Sequence, residues 1–248
     1  MFELTNQNEI AILKMNHGKV NAMDIEFCRE LSERLNQLAE SNCRAVVFSS
    51  CVKVFSAGVD LFRLLKEPKS YVNHFMGAIE ECFHDLFEFP KPLVAAINGH
   101  AVAGGCVMAA ACDYRLIAER AMIGVPELRV GVPFPPIAME TMRFVASPQS
   151  FQAMINLGAT YHDAEATSVG LADRVVESPV VLDSAIEVAQ QLLAVPAEVF
   201  RMTKQQARLP ALRNVLETEK KFGDQIHALW NSSEIRNTIQ DYVDRRFS

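Results

Sequence analysis

The chain has 248 residues, half of them hydrophobic and 22% charged, enough to bury a sizeable core and too apolar for a disordered chain. A net charge of −6 without a basic stripe excludes an electrostatic footprint for nucleic acid, and no run approaches the roughly 18 apolar residues of a membrane span. The opening MFELTNQNEI is neither a charged-then-apolar signal nor rich in Arg and Ser, so no targeting segment is expected.

In chain order, residues 9–15 (EIAILKM) alternate as an edge strand after a turn at 6–8. From Asp24 to residue 40, Phe27, Cys28, Leu31, Leu35 and Leu38 recur at helical steps, with Asp24 in the first turn. Residues 45–48 (AVVF) read as a short buried strand. After them Phe55-Ser56-Ala57-Gly58-Val59-Asp60-Leu61 reads as a glycine turn opening a helix. A wide apolar stripe (Val72, Phe75, Met76, Ile79, Phe83, Leu86, Phe87) predicts a core-facing helix over 71–87, stopped by Pro90 and Pro92.

The design of apolar strand, small-residue turn and helix then repeats. Residues 93–97 form a buried strand, and Asn98-Gly99 turns the chain. Ala103-Gly104-Gly105 opens a small-residue helix that ends at Cys112-Asp113. A strand over 114–118 leads to a loop where Glu127 sits amid Ile123, Val125, Pro126 and Leu128. Two helix starts of this kind can aim two backbone N–H groups at one point, where orphan donors favour negative charge. Apolar neighbours would raise the pKa of Glu127 and strengthen it as a base; the alternative is a surface carboxylate paired with Arg129 or Arg120.

Pro133, Pro135 and Pro136 force an extended loop before a helix over 137–145. Ser147-Pro148 supplies an N-cap and first-turn pair for a helix ending at Gly158, and 172–177 reads as a last strand. From Asp183 the pattern is purely helical, over 183–194, 197–208, 211–230 and 234–246, with breaks at Pro196 and Pro210. This divides the chain into a strand-and-helix core, 1–182, and a helical region, 183–248. Cys28, Cys43, Cys51, Cys82, Cys106 and Cys112 match no zinc spacing and include no Cys-x-x-Cys, so reduced thiols in a cytoplasmic protein are expected. No Gly-x-Gly-x-x-Gly follows a strand and no Walker pattern occurs, which disfavours a nucleotide or NAD cofactor.

Four segments in this order and spacing resemble the crotonase, or enoyl-CoA hydratase/isomerase, superfamily. They are Lys19-Val20-Asn21-Ala22-Met23, the run from Phe55 to Leu61, the run from Asn98 to Asp113, and Val125-Pro126-Glu127-Leu128 with Gly131. The resemblance covers nearly the whole chain. It implies an α/β fold, a crotonase-like spiral of strand–strand–helix turns with a C-terminal helical trimerisation region. It also implies a homotrimer or dimer of trimers, a CoA thioester as substrate, and no cofactor or metal. Carried over, the oxyanion-hole donors are the N–H groups of Val59 and Gly104, and the catalytic base is Glu127. Losing one such donor typically raises a barrier by about 3–4 kcal/mol.

Substrate contacts are expected from Ala57, Gly58 and Asp60 and from Lys19 and Ala22. His100 touches substrate or is a hydrogen-bonded structural residue, and Phe134 and Phe83 line an acyl pocket or merely fill the core. Lys19, Lys53, Arg63 and Lys66 are candidates for the CoA phosphates. Asp113 reads as fixing a turn, and Trp230 as packing on the core or on a neighbouring subunit. The departure is Val107, where hydratases of the family carry a second glutamate that handles the attacking water. One carboxylate plus an oxyanion hole resembles instead the Δ3,Δ2-enoyl-CoA isomerases. Other enolate chemistry (decarboxylation, dehalogenation or thioester hydrolysis) and acyl-CoA binding without catalysis are the alternatives.

Overall fold

The structure, a computed structural model, describes residues 1–247. The elements in order are β1 (Phe2–Gln7), β2 (Ile10–Met15), α1 (Ile25–Glu40), β3 (Ala45–Ser50), α2 (Leu61–Lys66) and α3 (Lys69–Glu88). There follow β4 (Leu93–Ile97), β5 (Ala101–Val102), α4 (Gly104–Ala110), β6 (Tyr114–Ala118), β7 (Met122–Gly124), α5 (Glu127–Val130), α6 (Pro136–Val145) and α7 (Pro148–Leu157). The chain closes with β8 (Thr160–His162), α8 (Asp163–Ser168), β9 (Arg174–Val176), α9 (Val181–Leu192), α10 (Ala197–Trp230) and α11 (Ser233–Phe247).

The main sheet runs β1-β2-β3-β4-β6-β9, antiparallel between β1 and β2 and parallel elsewhere. Its central strands are buried at nearly every step and mainly apolar because both faces are covered, as parallel sheets require. Leu13, Val46, Phe48, Ala95 and Ile117 face one core with α1, α3 and α4. Ile12, Val47, Val94, Ala96 and Leu116 face the other, against Val181, Ala185 and Ala189 of α9. A small sheet, β5-β7-β8, stands beside the main one and brings the start of α4 next to the Glu127 loop.

The caps follow the sequence. Asp24 is the N-cap of α1 and accepts the Phe27 N–H; Ser147 caps α7, and Gly158 ends it in the left-handed conformation at φ 56°.

Three expectations change. The edge strand is β1, and β2 lies inside the sheet; β1 is exposed along nearly its whole length and ends in Asn6-Gln7, which read as a turn. The boundary at 182/183 falls inside α9, which packs on the sheet and belongs to its core.

The third change is Pro210, which does not split the helix: α10 runs 34 residues through it. A proline costs about 3 kcal/mol in a helix interior. The carbonyl it orphans, that of Gln206, lies on an exposed turn open to water. Contacts on both sides hold the helix. Ala211 and Val215 are buried in the core. Lys204 and Arg208 each reach Asp113 at 2.8 Å, and Arg208 also donates to the Phe87 carbonyl. Asp113 thus does more than close a turn. It accepts the Leu93 N–H at 2.8 Å and two buried cations, tying α10 to the start of β4.

Candidate active site

The first glycine turn is held from behind. Asn21, fully buried at φ 47°, donates from Nδ2 to Ser50 Oγ and the Phe55 carbonyl, and its Oδ1 accepts the His17 N–H. Ser56 Oγ donates to the Asn21 carbonyl at 2.8 Å and accepts the Gly58 N–H at 3.1 Å. The Gly58 carbonyl accepts the Met23 N–H at 2.8 Å, and the Asp60 N–H donates to the Met23 carbonyl at 3.0 Å. Val59, between them, has no backbone acceptor for its own N–H among the described residues.

The second turn meets the first. Ala103, at φ 54°, donates to the Gly124 carbonyl, and its own carbonyl accepts from Cys106 and Val107. Gly104 is the first residue of α4, so its N–H has no partner within the helix. With α4 only seven residues long, the orphan N–H itself matters more than any helix dipole. Glycine at 58 is a steric necessity. At φ +79° an added Cβ would lie 2.7 Å from Ala103 Cβ and 2.9 Å from the Gly104 nitrogen. Only without it do the two turns, and their two unspent donors, lie side by side.

They open on a cavity of about 270 Å³. Ala57, Val59, Gly104, Val107 and Glu127 line its reactive end, α3 supplies Phe75, Met76, Ile79 and Phe83, and Trp230 and Tyr242 close it from the C-terminal helices. Two lining residues carry a carboxylate. Asp60 is occupied as the N-cap of α2, accepting the Arg63 N–H at 2.9 Å. Glu127 is not occupied: its Oε2 is buried without a hydrogen-bond partner. Burial, partly offset by its own backbone N–H, raises its pKa to about 8. Neither candidate partner quenches it. Arg129 Nε donates to the Leu157 carbonyl, and among the described residues neither Arg129 nor Arg120 forms an ion pair with it. Val107, 1% exposed, completes the wall with two methyl groups.

Of the residues singled out from sequence, Ala22, Ala57, Val59, Asp60, Gly104, Phe83 and Glu127 converge on this cavity, with Gly58 directly behind. Lys19 is exposed beside Val20, which lines it. His100 and Phe134 do not join them. His100 is exposed and accepts the Met122 N–H on Nδ1 at 2.9 Å, which is the structural alternative. Phe134 is buried in the core while its neighbours Pro133 and Pro135 line the cavity. Arg63 is committed to Asp24 and Glu26 and lies over the Tyr71 ring. Sequence reasoning missed Tyr242 and the cavity role of Trp230. A helical pattern shows that such residues are inward-facing, not what they face.

Comparison with known proteins places nearly the whole chain beside one family. The family model described as Enoyl-CoA hydratase/isomerase matches residues 5–248. The chain is 28% identical over 240 residues to enoyl-CoA delta isomerase 1, mitochondrial, of Homo sapiens, covering 95% of this chain and 80% of that one. It is 30% identical over 213 residues to the Delta(3,5)-Delta(2,4)-dienoyl-CoA isomerase, mitochondrial, of Pongo abelii, covering 80% and 65%. The crystal structure of human mitochondrial delta3-delta2-enoyl-CoA isomerase superimposes with a TM-score of 0.92 at 27% identity, covering 98% of this chain and 97% of that one.

Proposed function

The chain belongs to the enoyl-CoA hydratase/isomerase family, and on that premise we propose that it moves the double bond of a 3-enoyl-CoA to the 2,3 position with Glu127 as its single acid and base. The observation that carries this reading is one unpaired, buried carboxylate in an apolar cavity, beside two unspent backbone donors, with valine at 107.

The thioester oxygen sits against the N–H groups of Val59 and Gly104. The Glu127 carboxylate takes a proton from C2, and the electron pair of that C–H bond moves into the thioester, giving a dienolate whose negative charge the two donors stabilise. Carboxylic Glu127 then returns the proton to C4, the C3–C4 double bond becomes C2–C3, and the oxygen gives its charge back. Base and acid are one group, so no net proton is exchanged and neither an oxidant nor a metal enters the balance. Hydration would need a second group to orient and deprotonate water, and Val107 offers none.

The exposed apolar residues along α10, among them Val199, Met202, Leu216 and Phe222, support assembly as a trimer or a dimer of trimers. The test is conversion of 3-enoyl-CoA to 2-enoyl-CoA by the wild type beside Glu127→Gln, with hydration of 2-enoyl-CoA as control. Turnover by the wild type alone, with negligible hydration, is expected. Equal turnover by both proteins, or none by either, sinks the proposal.

A further inference from the structure

Trp230, the last residue of α10, lines the cavity. The indole is 7% exposed, and its Nε1–H donates to the Pro133 carbonyl at 3.2 Å. That bond pins the end of α10 to the loop that follows the Glu127 helix. Trp230 also lines a second, smaller cavity of about 90 Å³. The two spaces share more than the indole. α3 gives Phe75 and Met76 to the first and Val72, a turn earlier, to the second; α11 gives Tyr242 to the first and Ile239, a turn earlier, to the second. The two cavities therefore adjoin at the indole, and both are bounded by α3 and the C-terminal helices.

The structure assigns Trp230 the selection of substrate by length: it closes the far end of the acyl cavity and sets the longest acyl chain that fits, the second cavity being the space a longer chain would enter without the indole. This rests on the acyl-CoA reading above and adds a specificity-determining residue to it. The physical basis is simple. A methylene transferred from water into an apolar cavity improves binding about fourfold. The gain stops where the chain meets a wall that a hydrogen bond and packing hold in place.

Two measurements on the full chain test this, and neither needs turnover. The first is calorimetric binding of a saturated series from acetyl-CoA to palmitoyl-CoA. Affinity for the wild type should rise about fourfold per methylene and then break. In Trp230→Ala the break should move to longer chains by at least two methylenes. Filling the second cavity in that background with Ile239→Phe should move it back. The second uses the fact that Trp230 is the one tryptophan of the chain, so its fluorescence reports contact in the wild type without any substitution. Acetyl-CoA should leave the emission as it is, and a change should begin at the chain length of the calorimetric break.

Identical emission with acetyl-CoA and decanoyl-CoA, or the same break in wild type and Trp230→Ala, overturns the assignment. Should Trp230→Ala fail to fold, the fluorescence series still decides. Length-dependent binding without isomerisation would refute the proposed reaction and leave this assignment standing. Failure of every acyl-CoA to bind would refute both.

Discussion

Glu127→Gln should make the protein inactive and more stable, and the gain in stability should depend on pH. Burial raises the Glu127 pKa from 4.5 to about 8, so between those values the folded chain holds a proton that the unfolded chain has released. Stability falls with pH wherever the native state binds more protons, so the cost is absent below pH 4.5, grows through neutrality and levels off above about pH 8. Each pH unit in that window is worth about 1.4 kcal/mol, which makes the cost at pH 7 about 3 kcal/mol. Glutamine has nearly the same shape and nothing to ionise. The variant should therefore match the wild type at pH 4.5 and exceed it by about 3 kcal/mol at pH 7, or about 5–10 °C in melting temperature for a chain of this size. Urea denaturation of both proteins at pH 4.5, 6, 7 and 8 measures it. The same pKa should appear as a rise in kcat/KM toward pH 8 in the wild type, since Glu127 must be ionised to take a proton. Equal stabilities at pH 8, or a difference that does not change with pH, would refute a desolvated, unpaired carboxylate.

Val107→Glu places a second carboxylate across the cavity from the first, so hydration of 2-enoyl-CoA should rise about 10²-fold above background while isomerisation falls; a folded variant without hydration would show that position 107 does not separate the two reactions. Gly58→Ala should lower kcat about 10²-fold or more with a smaller change in KM, because the new Cβ collides with Ala103 and pushes the two donors apart; steady-state kinetics with unchanged kcat would refute the paired-turn geometry. Asp113→Ala leaves Lys204 and Arg208 buried without their counter-charge and should cost about 3–5 kcal/mol in denaturant unfolding, far more than a surface pair would.

Much of the catalytic end was legible because its requirements are local. Gly58 and Gly104 advertise tight turns, the apolar residues around Glu127 advertise a desolvated carboxylate, and Val107 is informative by what it lacks. The central strands of the main sheet could be read because both faces are covered, which leaves mainly apolar runs. What stayed hidden depended on partners distant in sequence. β1 has little signal of its own and is a strand through its pairing with β2. Pro210 reads as a helix break until Asp113, almost a hundred residues earlier, is seen holding Lys204 and Arg208. His100 is near the site in sequence, but Met122 has already claimed its ring nitrogen. Trp230 and Tyr242 are more than a hundred residues beyond Glu127, and only the folding of α10 and α11 over α3 makes them walls of its cavity.

Two of the five non-glycine residues with positive φ among the described residues stand at the site. They are Asn21 at φ 47° and Ala103 at φ 54°, and each stands beside one of the two donor turns. A residue in so sparse a region costs about 1–3 kcal/mol, and an unpaired carboxylate lies in the same cavity. Such costs persist only where the surroundings over-determine the geometry, and here they do. Ser56 bonds the Asn21 carbonyl and the Gly58 N–H with its side chain. With its backbone it accepts the Val102 N–H and donates to the His100 carbonyl. A Cβ on Gly105 would come within 2.4 Å of the Ser56 carbonyl oxygen, so the second turn is pressed directly against the residue that organises the first. One buried serine thus fixes both donor turns at once. The donors are in place before substrate arrives and need no reorganisation as charge develops on the thioester oxygen, which is the condition under which an oxyanion site is most effective. Strain, a desolvated base and two unspent N–H groups are separately unfavourable to folding. Their concentration around one cavity, braced by Asn21 and Ser56, is the physical mark of a site built for turnover, not for binding alone.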